Sequence, residues 1–298
     1  MPSAPFLPEK IAVTFPKLRG FGFIKSGTFK SVYRVIAPDG ANEVLKIIRL
    51  PKDVSTEPAK ALREQELGRA KRETELLGRA SSPFIVRMGH LSPAIVDIDG
   101  DSCMAYTEEL LPGKDLENVI AAKPRPTAVE IKLLLSSLVE GIHHLWTRHK
   151  TVHRDIKPAN IFATGLADRP FVLLDLGIAY NVSEPGLTVD PSHIPATPLY
   201  MAPEMLDPNF RDTLSYRADL YASGVTAFEY ASGGTHPLGK RGDGHMKTLT
   251  RILHQEPLKL VTLRPDLPPE LIGLIDQLIK KNPALRPGNM ALILNQLR

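Results

Sequence analysis

The sequence predicts an α+β fold in two parts, a small strand-rich part followed by a larger, mostly helical one. Three observations carry that prediction. Up to about residue 111, short apolar runs alternate with Gly/Asp turns, and one long charged helical pattern lies among them. After Pro112-Gly113 the apolar spacing becomes helical. Hydrophobic residues make up 43% of 298 positions, enough for a substantial core and too many for a disordered chain.

The elements follow in order. Residues 1–17 are interrupted by proline and are expected to form an irregular arm. Ser31-Val32-Tyr33-Arg34-Val35-Ile36 is β-branched and aromatic, Pro38-Asp39-Gly40 makes a turn, and Glu43-Val44-Leu45-Lys46-Ile47-Ile48 returns as the second strand of a hairpin. Residues 58–79, rich in Ala, Leu, Glu, Arg and Lys, read as one long helix whose charges alternate in sign. Three further strands are expected at 85–88, 94–98 and 102–110, the last two joined by Asp99-Gly100. Helices are expected at 116–122 and 128–148, short strands near Ile161 and at Phe171-Val172-Leu173-Leu174, and helix and loop from Leu220 onward. Ligands favour the boundary between such parts.

Charge and cysteine content narrow the class. The net charge of +4 is spread along the chain, so no nucleic-acid partner is expected. The one cysteine, Cys103, rules out an internal disulfide and a Cys-ligated zinc cluster, which fits a reducing compartment. No apolar run is long enough for a membrane span, and the opening lacks the basic and apolar regions of a signal peptide. A cytoplasmic location is therefore expected.

The chemistry is concentrated in His153-Arg154-Asp155-Ile156-Lys157-Pro158-Ala159-Asn160. Asp155 can accept a hydrogen bond from an attacking hydroxyl, Lys157 can neutralise a phosphoryl group, and Asn160 offers a hard amide oxygen to magnesium. Asp175-Leu176-Gly177 follows an apolar strand, placing a second hard ligand at a strand end. Lys46 lies among apolar residues in a strand, where an ammonium needs an anionic partner. Lys25-Ser26-Gly27-Thr28-Phe29-Lys30-Ser31-Val32 is a hairpin turn with one glycine, flanked by lysines.

Together these runs resemble the eukaryotic-like (Hanks-type) serine/threonine protein kinases, over about residues 18–298. The catalytic loop reads H-R-D-x-K-x-x-N, Asp175 opens a D-L-G in place of D-F-G, and Val44-Leu45-Lys46-Ile47 is similar to V-A-I-K. Glu109-Leu110-Leu111-Pro112-Gly113-Lys114-Asp115-Leu116 resembles the segment joining the lobes. Thr197-Pro198-Leu199-Tyr200-Met201-Ala202-Pro203-Glu204 resembles the close of the activation loop.

The resemblance implies a two-lobed protein-kinase-like fold: an N-lobe at 18–110 with one main helix and a helical C-lobe at 111–298. It implies catalytic roles for Asp155, Lys157, Lys46 and its partner Glu73, with Glu75 as fallback. It implies nucleotide contacts from Ile24, Gly27, Val32, Lys46, Glu109, Leu111, Asp115, Asn160 and Asp175. Asn160 and Asp175 would hold Mg2+, with Mn2+ as the alternative metal. Either Thr107 or Glu108 would stand behind the adenine. Arg286 would pair with Glu204, Asp219 would bond the catalytic-loop backbone, and Gly224 would complete D-x-x-x-x-G.

The implied activity is transfer of the γ-phosphoryl group of ATP to serine or threonine hydroxyls of a protein. Autophosphorylation is expected at Thr188 or Ser192 in a loop that also holds Ser183 and Thr197, read by Arg154 with Arg69 as second partner. Two other readings compete. One is a pseudokinase acting as a nucleotide-binding or scaffold module, suggested by the altered glycine loop. The other is a small-molecule kinase of similar fold.

Overall fold

Alternation of buried and exposed side chains sets the first part of the molecule. The computed structural model describes residues 4–27, 30–50, 56–123, 125–176, 179–182, 198–207, 209–239 and 242–298. The chain divides into two units, Met1–Ser81 with Val86–Leu111 and Ser82–Ile85 with Pro112–Arg298.

The first unit is a five-stranded antiparallel sheet in the order β1-β2-β3-β5-β4, with β1 at Arg19–Ser26, β2 at Lys30–Ile36, β3 at Asn42–Arg49, β4 at Ala94–Ile98 and β5 at Asp101–Glu109. Asp99 and Gly100 both take positive φ (55° and 80°), the geometry a two-residue Asp-Gly hairpin needs. The same requirement puts Gly40 at φ 91° before β3. Between β3 and β4 runs α2 at Glu57–Arg79. Its buried stripe of Ala70, Glu73, Thr74 and Leu77 has helical spacing and contains one carboxylate.

Two expectations need correction here. The opening stretch, expected to be irregular, carries α1 at Pro8–Thr14. Proline is well suited to the first turn of a helix, where its missing N–H costs nothing, so Pro8 starts this helix instead of breaking it. Phe6, Ile11, Phe15 and Leu18 enter one core with Tyr33, Val35, Leu45, Ile47 and Ile98. Residues 85–88 do not form a strand. Ile85 makes a single parallel bridge to Leu173, and Met88 a single antiparallel bridge to Glu108. Ile85 belongs to one unit and Met88 to the other, so the run has no common partner strand.

The second unit is built on helices. Its elements are β6 at Lys114–Asp115, α3 at Leu116–Ala121, α4 at Ala128–His149, β7 at Thr151–Val152, β8 at Ile161–Ala163, β9 at Phe171–Leu173 and β10 at Tyr180–Asn181. They are followed by α5 at Arg217–Ala231, α6 at His245–His254, α7 at Leu260–Leu263, α8 at Pro269–Leu278 and α9 at Met290–Leu297. A capping box between Thr127 and Glu130 starts α4, and Lys150 in the left-handed conformation ends it. From Ala218 to Ala231 every residue of α5 is buried, marking it as the core helix. A Cβ at Gly224 of α5 would approach the Leu278 Cβ to 2.6 Å, so this glycine lets α5 and the end of α8 close together. The small sheets β6-β8-β9 and β7-β10 carry the loops that matter for function.

Candidate active site

In the first unit the functional side chains are charged and share one face of the sheet. Register sets Lys46 of β3 opposite Tyr106 of β5, and Val44 opposite Glu108. Because side chains alternate, Lys46 and Glu108 point the same way while Thr107 points the other. The Lys46 ammonium lies 2.6 Å from Glu108 Oε1 and 3.2 Å from Glu73 Oε1. Glu73 thus lies against Lys46, whereas Glu75 is exposed. Glu73 also holds a second ammonium: Lys30 Nζ donates to both its oxygens, at 3.2 and 3.0 Å. Lys30, Glu73, Lys46 and Glu108 thus form a chain of alternating charge.

All four belong to a largely buried cluster, and Lys30 is the most open, its side chain 27% exposed against 9% for Lys46. Burial pushes the Glu108 carboxyl above the ordinary carboxylate range, Lys46 pulls it back, and Glu73 raises it again. Thr107 serves the fold: its Oγ1 accepts the Leu91 N–H at 2.8 Å and its carbonyl accepts the Gly89 N–H at 2.7 Å.

Ile24 on β1 is exposed and Val32 on β2 is buried. Gly27 closes the hairpin by donating to the Lys30 carbonyl at 2.8 Å. Among the described residues, a Cβ on Gly27 would meet that carbonyl alone, at 4.0 Å. Glu109 is tied through Oε1 to the Arg87 N–H at 2.9 Å, and Leu111 is buried.

In the second unit, β7 leads into the His153–Asn160 loop and β8 leaves it. Asp219, near the start of α5, accepts the N–H groups of His153 at 2.7 Å and Arg154 at 2.9 Å, holding Arg154 at φ 69°. Burial raises the Asp219 carboxyl above its ordinary range, opposed by His153 and by the two backbone donors. Asp155 accepts Lys157 Nζ at 2.8 Å on each oxygen and Asn160 Nδ2 at 2.7 Å. Asn160 spends its amide nitrogen on Asp155, so Oδ1 is the atom it could offer to a metal.

The Leu174 N–H donates to the Asn160 carbonyl at 2.8 Å, tying the residue before Asp175 to Asn160, and Asp175 takes φ 60°. Leu176 is fully buried, so the leucine packs inward as expected of an apolar residue there. Hard oxygens from one amide and one carboxylate fit a cation that takes its remaining ligands from water and phosphate.

Asp115 caps α3, its carboxylate accepting the Asn118 N–H and side-chain amide at 2.8 Å each. Gly113 has φ 101°, and a Cβ there would collide with the Ala163 carbonyl. Arg286 donates to both Glu204 oxygens, at 2.5 and 2.7 Å, and stacks 4.8 Å from the Tyr221 ring. The Arg154 guanidinium lies 5.8 Å from the Tyr180 ring and 5.4 Å from the Phe210 ring. Gly177, Ser183, Thr188, Ser192, Thr197 and the side chain of Arg69 lie outside the described residues.

Sequence reasoning missed Lys30 and Glu108 as partners of the expected pair. It also missed Glu43, whose buried carboxylate takes the His90 N–H at 3.0 Å and His90 Nδ1 at 2.6 Å. Acidic residues in buried strands were the available signal for the glutamates.

This arrangement of a β-sheet unit and a helical unit carrying the H-R-D loop is that of the protein kinases, and the chain belongs to that family: the protein kinase domain model matches residues 21–297. Among characterised relatives, the dual specificity mitogen-activated protein kinase kinase mek-1 of Caenorhabditis elegans is 33% identical over 69% of this chain and 54% of its own length. The serine/threonine-protein kinase ULK3 of Xenopus laevis is 29% identical over 88% of this chain and 51% of its own. The serine/threonine-protein kinase PkaA of Streptomyces coelicolor is 31% identical over 73% and 37%. The chain thus spans about half, or less, of these relatives' lengths. Among the described residues, no helix is long and apolar enough to cross a membrane.

Proposed function

We propose that the chain is an active serine/threonine protein kinase that transfers the γ-phosphoryl group of Mg-ATP to a protein hydroxyl. The observation that carries this reading is the Asp155–Lys157–Asn160 cluster, with all three side chains joined at 2.7–2.8 Å. Asp155 orients the acceptor hydroxyl and takes its hydrogen bond. Lys157, already against Asp155, neutralises charge gathering on the transferring group. Asn160 and Asp175 supply hard oxygens to Mg2+, which when bound neutralises the nucleotide's phosphates. Lys46 and Glu73 serve the nucleotide, with Gly27 at the turn that would approach its phosphates. Glu108, on the Lys46 face of β5, is the better candidate than Thr107 for the position behind the adenine. Lys157 and the relatives named as serine/threonine kinases favour hydroxyls of serine and threonine.

Radiolabelled ATP with generic protein substrates tests this. Asp155→Ala should lose roughly 10²–10⁴-fold in transfer while still binding ATP. Equal incorporation by wild type and variant would sink the reading.

A pseudokinase remains the second reading, because the Lys46 ammonium sits closer to Glu108 (2.6 Å) than to Glu73 (3.2 Å). ATP binding without any transfer by wild type would select it. The reading also includes autophosphorylation at Thr188 or Ser192, with Arg154 receiving the phosphate. Mass spectrometry of ATP-treated wild type showing no phosphate at either residue would remove that part.

A further inference from the structure

We propose that the groove between the end of α8 and the segment after α6 docks a partner protein, through a short acidic segment that carries an apolar side chain. This goes beyond the kinase reading and uses none of its residues. The groove encloses about 290 Å³, close to the lower bound of ligand cavities, roughly 300 Å³. It lies within the helical unit, on elements that carry no part of the Asp155 cluster.

Three kinds of unmet chemistry meet there. Leu258 and Leu285 line the groove beside buried Ile279 while 45% and 59% exposed. Lys259 and Lys280 line it as well, both exposed, and among the described residues neither ammonium has an ion-pair or hydrogen-bond partner. Asp276 is half-buried in the same lining, and its Oδ1 is closed off from solvent with no donor. A single exposed leucine needs no explanation, but apolar area rimmed by unpaired polar groups in one concavity marks a recognition surface.

The other charged groups of the lining are engaged. Lys281 donates to the carbonyl of Arg251, at 3.2 Å, and to that of Ile252, closing the C-terminal end of α6. Glu256 acts on the same ammonium, against the effect of burial. The exposed field left over is that of Lys259 and Lys280, which favours carboxylates. Asp276 would repel a bare anion and would stay without a donor beside one. A peptide avoids both penalties, because a main-chain N–H donates without carrying a full charge. The two oxygens of a carboxylate share its charge, so a donor reaching Asp276 from the groove offsets what Oδ1 lacks. The walls are fixed before anything binds. Arg286 donates to the carbonyls of Lys280 at 2.7 Å and Lys281 at 2.9 Å, and Asn282 caps the next turn through the Ala284 N–H at 2.9 Å. Binding then has to order only the incoming segment.

The test measures binding of short fluorescein-labelled peptides to the full chain by fluorescence anisotropy. One peptide alternates leucine and glutamate, a second has lysine for glutamate, and a third has serine for leucine. Wild type should bind the leucine–glutamate peptide about tenfold tighter than either control, and its advantage over the lysine peptide should shrink as salt is raised. Leu285→Asp should weaken that binding by about tenfold, as expected for loss of one apolar contact. Lys259→Glu/Lys280→Glu should reverse the charge preference and favour the lysine peptide, a gain that an unfolded variant cannot show. Equal binding of the three peptides by wild type, or an unchanged preference in the charge-reversed pair, would overturn the proposal. Binding of inorganic phosphate or of a fatty-acid carboxylate with no binding of any peptide would also overturn it. No arm needs ATP or phosphoryl transfer, so this result and the transfer assay above stand or fall separately.

Discussion

Asp219 and Glu108 are both buried carboxylates beside kinase motifs, and they are held in opposite ways. Asp219 faces two backbone N–H groups, which are fixed in direction by the loop they belong to. Glu108 faces the ammonium of Lys46, a compact charge on a flexible four-carbon stem. The first arrangement sets a geometry, since moving Asp219 means refolding the 153–160 loop. The second sets a charge balance, since the Lys46 ammonium bonds Glu73 and Glu108 together. The helical unit thus holds its buried carboxylate with backbone donors, and the sheet unit holds its own with a side-chain cation. Glu204 belongs with Asp219, because a planar guanidinium grips it on both oxygens.

The largest effect separating the two regions should come from Arg286→Ala. It leaves Glu204 without its bidentate partner and frees the carbonyls of Arg217, Lys280 and Lys281 that Arg286 also bonds. A stability loss of about 3–5 kcal/mol is expected by denaturant titration. A loss below about 1 kcal/mol would mean that the guanidinium network is no more rigid than the lysine cluster.

A smaller effect is expected from Glu108→Met. It removes the nearer carboxylate of Lys46 and leaves Glu73, which Lys30 shares, so a stability loss of about 1–3 kcal/mol is expected by denaturant titration. A loss as large as that of Arg286→Ala would show that Glu108 anchors the sheet in the way Asp219 anchors the loop.

The smallest effect belongs to His90, which lies between Glu43 at 2.6 Å and Asp39 at 3.1 Å. Its hydrogen bond to Glu43 raises its pKa above the ordinary 6.5. A raised histidine pKa gives stability that is fully present below pH about 6.5 and is lost as pH rises through the folded value. Melting temperature should therefore decline more from pH 6 to pH 8.5 in wild type than in His90→Asn. Parallel curves would show that the Glu43–His90 contact adds nothing to the fold.

How much of this the sequence disclosed depended on the range of the interaction. Asp155, Lys157 and Asn160 meet within one loop, so their order in the chain already implied their meeting in space. Gly224 and Arg286 were placed by their motifs, and the structure supplied the reason, the closeness of α5 to Leu278 and the reach to Glu204. Lys30 and Glu108 were not legible as partners of Glu73 and Lys46. Their pairing depends on the register of β3 against β5 and on the rotation of α2, neither of which a single strand pattern fixes. Pro8 misled the reading for a different reason: proline marks a helix start as readily as a break, and only the burial of Ile11 distinguishes them.

That opening helix has a practical consequence. The family match begins at residue 21, and a fragment cloned from that point would omit Phe6, Ile11, Phe15 and Leu18. It would also lose the paired bonds between the Tyr33 hydroxyl and the Phe6 backbone, at 3.0 and 3.1 Å. The sheet would then present Val35, Leu45, Ile47 and Ile98 to water, an aggregation-prone surface. Insolubility of such a fragment would reflect where it was cut, and any expression boundary for this chain belongs upstream of Phe6.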